Sequence, residues 1–329
     1  MARIVDVARE AGVSVASVSR VLSGQDKVSE ETRARVLAAV KALDYRPDLA
    51  ARRLRSRRTD MIGLIVSDIR NPFFTDISRA VEDMAYERGL RVILCNADED
   101  PAKEAFYLDL MRNENVSGVI LSPTLTLLER FNAADYGFPV VLVDRCERDT
   151  DADAVTLDNF DAARRLTEHL LERGYRHIAC LYGEASATGR QRHEGYEVAM
   201  LRAGLSRTGI ALRPAAADAR ARALHLLGSA EPPDAIIASN GLVLLGVAEA
   251  VRESGLVCPR DVAVAGFDDL PWARLVEPGF TVIAQPTYDI GHAAIELLLA
   301  RIAQPAQTQR RVMLRGELVE RGSTVARAA

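Results

Sequence analysis

The densest chemistry in the 329-residue sequence lies near its start. Arg52, Arg53, Arg55, Arg57 and Arg58 crowd into seven residues around Leu54. Side chains of this kind neutralise phosphates and release counterions, giving affinity for a polyanion that does not depend on sequence. A leucine among them suits an apolar wedge between base steps in a minor groove. Taken alone, the same run also reads as a solvated basic linker. The charge distribution adds a pointer: residues 1–60 hold 13 Lys and Arg against 8 Asp and Glu, whereas the remainder holds 29 against 38. A basic head on an acidic body suits a head that meets a polyanion and a body that does not.

Catalytic signals are missing from the sequence. No G-x-S-x-G, Walker A, G-x-G-x-x-G or H-E-x-x-H occurs. The histidines at 169, 177, 193, 225 and 292 are never three or four apart, so no helical metal pair forms. Adjacent carboxylates such as Asp268-Asp269 point apart and make no acid/base dyad. Cys95, Cys146, Cys180 and Cys258 lack C-x-x-C spacing and read as thiols of a reducing compartment. Apolar residues form 48% of the chain and charged residues 27%, enough apolar material for several cores, which excludes disorder as the main state. No run approaches the ~20 apolar residues of a membrane span, and the charged N-terminus lacks a secretory signal's apolar stretch. A cytoplasmic protein with no enzyme activity, no metal and no cofactor is expected.

Helices must present the basic segment. Ile4, Val5, Val7, Ala8 and Ala11 form a stripe at helical spacing, broken by Gly12-Val13. Ser14 is placed to cap a second helix from about Val15 to Leu22, with Val18, Val21 and Leu22 inward and Val15, Ala16, Ser19 and Arg20 outward. Glycine at 12 allows the tight turn and alanine at 8 a close helix approach, the pattern of a helix-turn-helix. Ser29 caps a third helix whose first turn holds Glu30 and Glu31 and whose core face is read as Val36, Leu37, Val40 and Leu43. Tyr45-Arg46-Pro47 ends it.

Val5-Asp6-Val7-Ala8, Ala11-Gly12-Val13-Ser14, Ser17-Val18-Ser19-Arg20-Val21-Leu22, Val28-Ser29, Thr32-Arg33 and Leu43-x-Tyr45-x-Pro47 together resemble the headpiece of the lactose-repressor (LacI/GalR) family. The likeness covers 3–56. It implies that Ser14, Val15, Ala16, Ser17, Ser19, Arg20, Ser29, Tyr45, Ala51, Leu54 and Arg55 meet DNA. Val15 and Ala16 cannot hydrogen-bond to a base, so they should meet thymine methyls, with Arg20 the candidate for guanine.

From Met61 onward, apolar runs of four to six residues alternate with helical segments. Strands are predicted at 61–66, 90–95, 118–122, 138–143, 154–157, 177–182, 235–238 and 262–266. Helices are predicted at about 73–88, 101–113, 160–173, 190–203, 217–228, 242–254 and 287–303. Such alternation means parallel sheets covered on both faces. The fold expected is a small all-α helix-turn-helix headpiece plus an α/β core of two doubly wound parallel-sheet subdomains. The headpiece takes 1–47, a hinge or linker 48–59, and the core 60–329. The first subdomain is assigned about 60–158 and 287–316, the second about 159–286 and 317–329.

The family resemblance continues through Asn71-Pro72-Phe73-Phe74, Val143-Asp144-Arg145, Leu157-Asp158-Asn159, Arg190-x-Arg192, Gly266-Phe267-Asp268-Asp269 and Gln285-Pro286. It implies a core similar to periplasmic sugar-binding proteins, crossed by the chain near Asp158, Gln285 and Glu317. It also implies an effector pocket of Phe73, Phe74, Asp144, Arg145, Asp158, Thr188, Arg192, Asn240, Asp268 and Gln285. Phenylalanines would give an apolar wall, aspartates would accept from hydroxyls, and Arg192 would donate a fork of N–H groups. Arg145 could face a ligand carboxylate or serve a surface salt bridge.

Two departures stand out. Gly241 replaces the family's usual aspartate, so a helix beginning there should lose an acidic cap. The segment 212–223 lacks the aromatic lid of many relatives. The implied protein is a bacterial transcriptional regulator, a homodimer on a pseudo-palindromic double-stranded operator, responding to a small sugar or sugar acid. With no heptad segment after Ser323, no tetramerising coil is expected. Control by a purine-type corepressor or by a phosphorylated carrier protein stays open.

Overall fold

The computed structural model describes residues 2–22, 28–45, 59–147 and 149–326. They belong to two compact units, Met1–Thr59 and Asp60–Ala329.

The described residues of the first unit form three helices: α1 Ile4–Ala11, α2 Val15–Leu22 and α3 Glu30–Ala42. Gly12 ends α1 in the left-handed region at φ 62°, a conformation that glycine adopts without Cβ strain. The Arg35 guanidinium ties the turn to α3 by donating to the carbonyls of Ala11 and Gly12. Ser14 Oγ accepts the Ser17 N–H at 3.1 Å and Ser29 Oγ the Thr32 N–H at 3.4 Å. Val7, Ala8, Ala11, Val18, Val21, Val36 and Ala39 form the core. Leu37, read from the sequence as core, is 51% exposed. The inward stripe of α3 runs 36, 39, 40, 43, and Leu37 sits about 100° away from Val36 around the helix.

The second unit holds two six-stranded sheets. The first is ordered β11-β5-β4-β3-β1-β2, and every pairing is parallel. Its strands are β1 Met61–Val66, β2 Arg91–Asn96, β3 Val119–Leu121, β4 Val140–Val143, β5 Asp153–Leu157 and β11 Arg311–Leu314. The second is ordered β12-β10-β9-β8-β6-β7. It comprises β6 Ile178–Gly183, β7 Thr208–Leu212, β8 Ala235–Ala238, β9 Ala263–Phe267, β10 Thr281–Ala284 and β12 Glu317–Val319, with only β12 antiparallel. Central strands such as β1 are buried along their whole length, so they read in sequence as unbroken apolar runs.

Helices cover both sheets. Those that matter for the site are α4 Pro72–Glu87, α5 Pro101–Asn113, α6 Leu125–Leu128, α7 Asn159–Glu172, α8 Ala187–Arg202, α9 Ala216–Leu227, α10 Gly241–Glu253, α11 Pro271–Leu275 and α12 Thr287–Ala303. Ile290, Ala294, Ile295, Leu297 and Leu298 of α12 complete the core of the first sheet. The chain passes between sheets after Leu157, around Gln285-Pro286 and at Arg315-Gly316.

Candidate functional site

Residues from both sheets line one cavity at the strands' carboxyl ends, where open α/β sheets bind ligands. Asp144 follows β4 and Asp268 follows β9. Both lie in the left-handed region, at φ 70° and 74°. Each is pinned there by a backbone bond to the neighbouring strand, Asp144 N–H to Val155 and Asp268 N–H to Ile283, both 3.0 Å. Non-glycine residues persist in this region when their surroundings over-determine them, commonly at functional sites.

Asp268 Oδ2 accepts the Gly241 N–H at 2.7 Å, and Oδ1 accepts Gln285 Nε2 at 2.6 Å. The other amide atom, Gln285 Oε1, is buried and has no hydrogen-bond partner among the described residues. Asn240 Oδ1 caps α10 through the Val243 N–H at 2.8 Å. The acidic group at that helix start therefore comes from Asp268. This corrects the expectation that Gly241 leaves α10 without one. The glycine also makes room: a Cβ there would lie 2.6 Å from Leu270 Cδ1 and 3.3 Å from Asp268 Oδ2.

Arg192 rises from α8, 4% exposed. Its Nε donates to Asn159 Oδ1 at 2.7 Å, its Nη1 to the Ser239 carbonyl, and its Cζ sits 4.0 Å from the Phe267 ring centroid. Burial pulls its pKa down, while Asp268 and Asp144 oppose this through their field. Arg145 is equally buried but ion-paired: Glu99 takes two of its N–H groups at 2.8 and 2.5 Å, Asp144 one at 3.1 Å, and the Pro123 carbonyl a further contact at 3.2 Å. Burial lowers its basicity, yet Glu99 and Asp144 more than offset that and hold it above the ordinary value. Burial pushes Asp144 upward against the pull of Arg145 and Arg192.

Phe73 and Phe74 open α4 and meet edge to face at 5.0 Å, with Asn71 Oδ1 capping the helix at Phe73 N. Thr188 lies in the first turn of α8, its hydroxyl 2.8 Å from Ser186 Oγ. The cavity thus collects Phe73, Phe74, Asp144, Arg145, Thr188, Arg192, Asn240, Asp268 and Gln285. Asp158 is not among its lining residues: its Oδ1 caps α7 by accepting the Asp161 N–H at 3.0 Å. The neighbouring Asn159 reaches the site instead, through Arg192. Sequence reasoning also missed Asp68, Glu99, Ser186 and Ser239. Pro214 lines the wall from the segment expected to lack an aromatic lid. The arrangement offers hydroxyl acceptors, guanidinium and amide donors and an aromatic wall around one small polar ligand.

On the head, Ala16 and Arg20 are exposed, Ser17 and Ser19 half-buried, and Val15 leans on the core. Ser14 and Ser29 are exposed caps, and Tyr45 packs against the core. Ala51, Leu54 and Arg55 lie outside the described residues. Among the described residues no helix is long and apolar enough to cross a membrane.

Two family profiles match the chain: bacterial regulatory proteins of the lacI family over residues 3–48, and a periplasmic binding protein-like domain over 167–324. The chain is 36% identical to the transcriptional regulator RegA of Clostridium saccharobutylicum, over 98% of this chain and 99% of that one. It is 34% identical to the ribose operon repressor of Escherichia coli K12, over 98% and 100%. A solved structure of the lac repressor dimer bound to operator and the anti-inducer ONPF superposes with a TM-score of 0.89 at 26% identity, covering 99% of each chain. With a helix-turn-helix head, two sheets meeting at one polar cavity and end-to-end likeness to these regulators, the chain belongs to the lacI family and is a DNA-binding transcriptional repressor.

Proposed function

We propose that the repressor binds its operator as a homodimer and that a polyhydroxylated effector, a sugar or sugar acid, occupies the cavity and sets operator affinity. Gln285 Oε1 carries this reading: a buried acceptor without a hydrogen-bond partner among the described residues invites a ligand hydroxyl, since an unpaired buried polar group costs about 1–3 kcal/mol. Asp268 beside it and Arg192 in the same lining supply the second acceptor and the donor fork. The ribose operon repressor among the relatives supports a sugar. A ligand held by both sheets favours one of their relative settings, and operator affinity follows from that preference. On the head, Ala16 and Arg20 are proposed to read base edges, with Leu54 inserted at the operator centre.

The test pairs calorimetry against sugars and sugar acids with operator binding by fluorescence anisotropy. The effector should change operator affinity by about 5–150-fold. Arg192→Ala should lose that response while still binding operator. An Arg192→Ala protein that keeps full effector affinity would refute the cavity as the effector site.

A further inference from the structure

The cavity's charge is more specific than its hydrogen bonding. Its lining carries four carboxylates, Asp68, Glu99, Asp144 and Asp268, against two guanidiniums, Arg145 and Arg192. Asp68 is matched by Arg70 at 2.9 Å, leaving three carboxylates facing two cations. An adjoining chamber of about 350 Å3 shares Glu99, and its added Glu184 is balanced by Arg190, so Glu99 is the carboxylate common to both spaces.

Glu99 creates this imbalance. Arg145 alone beside Asp144 would be a neutral pair with spare donors, able to meet a ligand carboxylate. Glu99 instead grips it at both terminal nitrogens, while Asp144 holds Nε and Pro123 takes another donor. The grip is fixed at the backbone: Glu99 lies at φ 55° and its N–H bonds the Ser67 carbonyl at 3.0 Å. Resting on the cavity being the effector site, we propose that Glu99 is a specificity residue that selects an uncharged polyol or aldose and rejects sugar acids and sugar phosphates. Hydroxyls donate well to carboxylates, whereas a ligand anion would be desolvated against surplus negative charge.

Matched pairs test this on the full-length protein by calorimetry: ribose with ribonate, glucose with gluconate and galactose with galactonate. Wild type should prefer the aldose of the pair it recognises by about a hundredfold, the scale of a like-charge clash. Glu99→Gln should shrink that preference at least about tenfold by strengthening aldonate binding. Glu99→Asn is the second variant, because asparagine tolerates the left-handed backbone. Wild type binding an aldonate as tightly as its aldose overturns the role of Glu99. If Arg192→Ala abolishes that aldonate binding, the cavity remains the effector site and only the charge selection fails. A folded Glu99 variant with unchanged preference also overturns the role, and no binding of any pair by wild type or variants overturns both readings.

Discussion

Substitution of Gly241 by alanine and by aspartate tests whether Asp268 stands as the charged carboxylate at the start of α10. Gly241 is the first residue of α10 and is buried, with its N–H on Asp268. Its backbone is open to other residues, and replacing glycine gains about 0.4–1 kcal/mol through the unfolded chain. Against this, the new Cβ meets Leu270 Cδ1 at 2.6 Å. That atom ends a flexible side chain, so the overpacking sits near the low end of the usual ~1–3 kcal/mol. Gly241→Ala should therefore lose about 1 kcal/mol or less. Gly241→Asp adds a carboxylate whose Cβ stands 3.3 Å from Asp268 Oδ2. Two charges about 5 Å apart at an effective dielectric of about 20 repel by roughly 3 kcal/mol. Thermal melts at pH 7.5 should thus rank wild type, alanine and aspartate in falling order, with the larger gap between the last two. Repulsion raises the folded pKa of the carboxylate pair, so the folded state holds protons more strongly and the penalty fades as pH falls. The gap between the alanine and aspartate variants should narrow by pH 5. An aspartate variant as stable as the alanine one at pH 7.5, or a gap indifferent to pH, would refute the reasoning.

Two further predictions concern buried titratable groups. Glu104 is 1% exposed and accepts the Thr124 N–H at 2.7 Å and hydroxyl at 2.6 Å, and burial raises its pKa above 4.5. Its stabilising contribution is full below that value and declines as pH rises through the folded pKa, so Glu104→Gln should be less damaging in urea melts at pH 7.5 than at pH 4.5. His169 donates to or accepts from Thr324 Oγ1 at 2.8 Å and is buried, which lowers its pKa below 6.5. Its contribution is present above 6.5 and lost as pH falls through the folded value. Melting temperature should therefore drop between pH 7.5 and 5.5, and His169→Gln should flatten the drop.

Most of the fold was legible because parallel strands buried on both faces write short unbroken apolar runs, while the helices between them write a 3.6-residue stripe. The elements missed were those whose burial is partial or whose length is small. β7 is a half-exposed edge strand, β11 alternates exposed and half-buried residues, and β12 has three residues. β10 is an exception: it is buried and four residues long, the same length as β8, which was read correctly, so its length does not explain the miss. At the site, Asp158 shows the limit of motif transfer: a strand-end aspartate looks the same whether it faces a ligand or caps its own helix. Glu99 was invisible because its partner Arg145 lies 46 positions away. Gly241 looked like a lost carboxylate until Asp268, from another strand, was seen to fill the same place at the helix end.

The position of α12 bears on how the protein is made. Five strands of the first sheet are complete at Leu157, but the helix that seals one of its faces begins at Thr287, and the edge strand β11 only at Arg311. About 130 residues separate the sheet from its cover, and at roughly 5–20 residues per second a ribosome needs about 7–26 s to add them. Throughout that interval the apolar side chains of β3, β4 and β5 that α12 later covers stay open on the nascent chain. The second sheet likewise has five of its six strands by Ala284 and lacks only β12. The half begun first thus waits for its cover while the second sheet is being made, and its uncovered face is where chaperone dependence and premature-termination damage should concentrate.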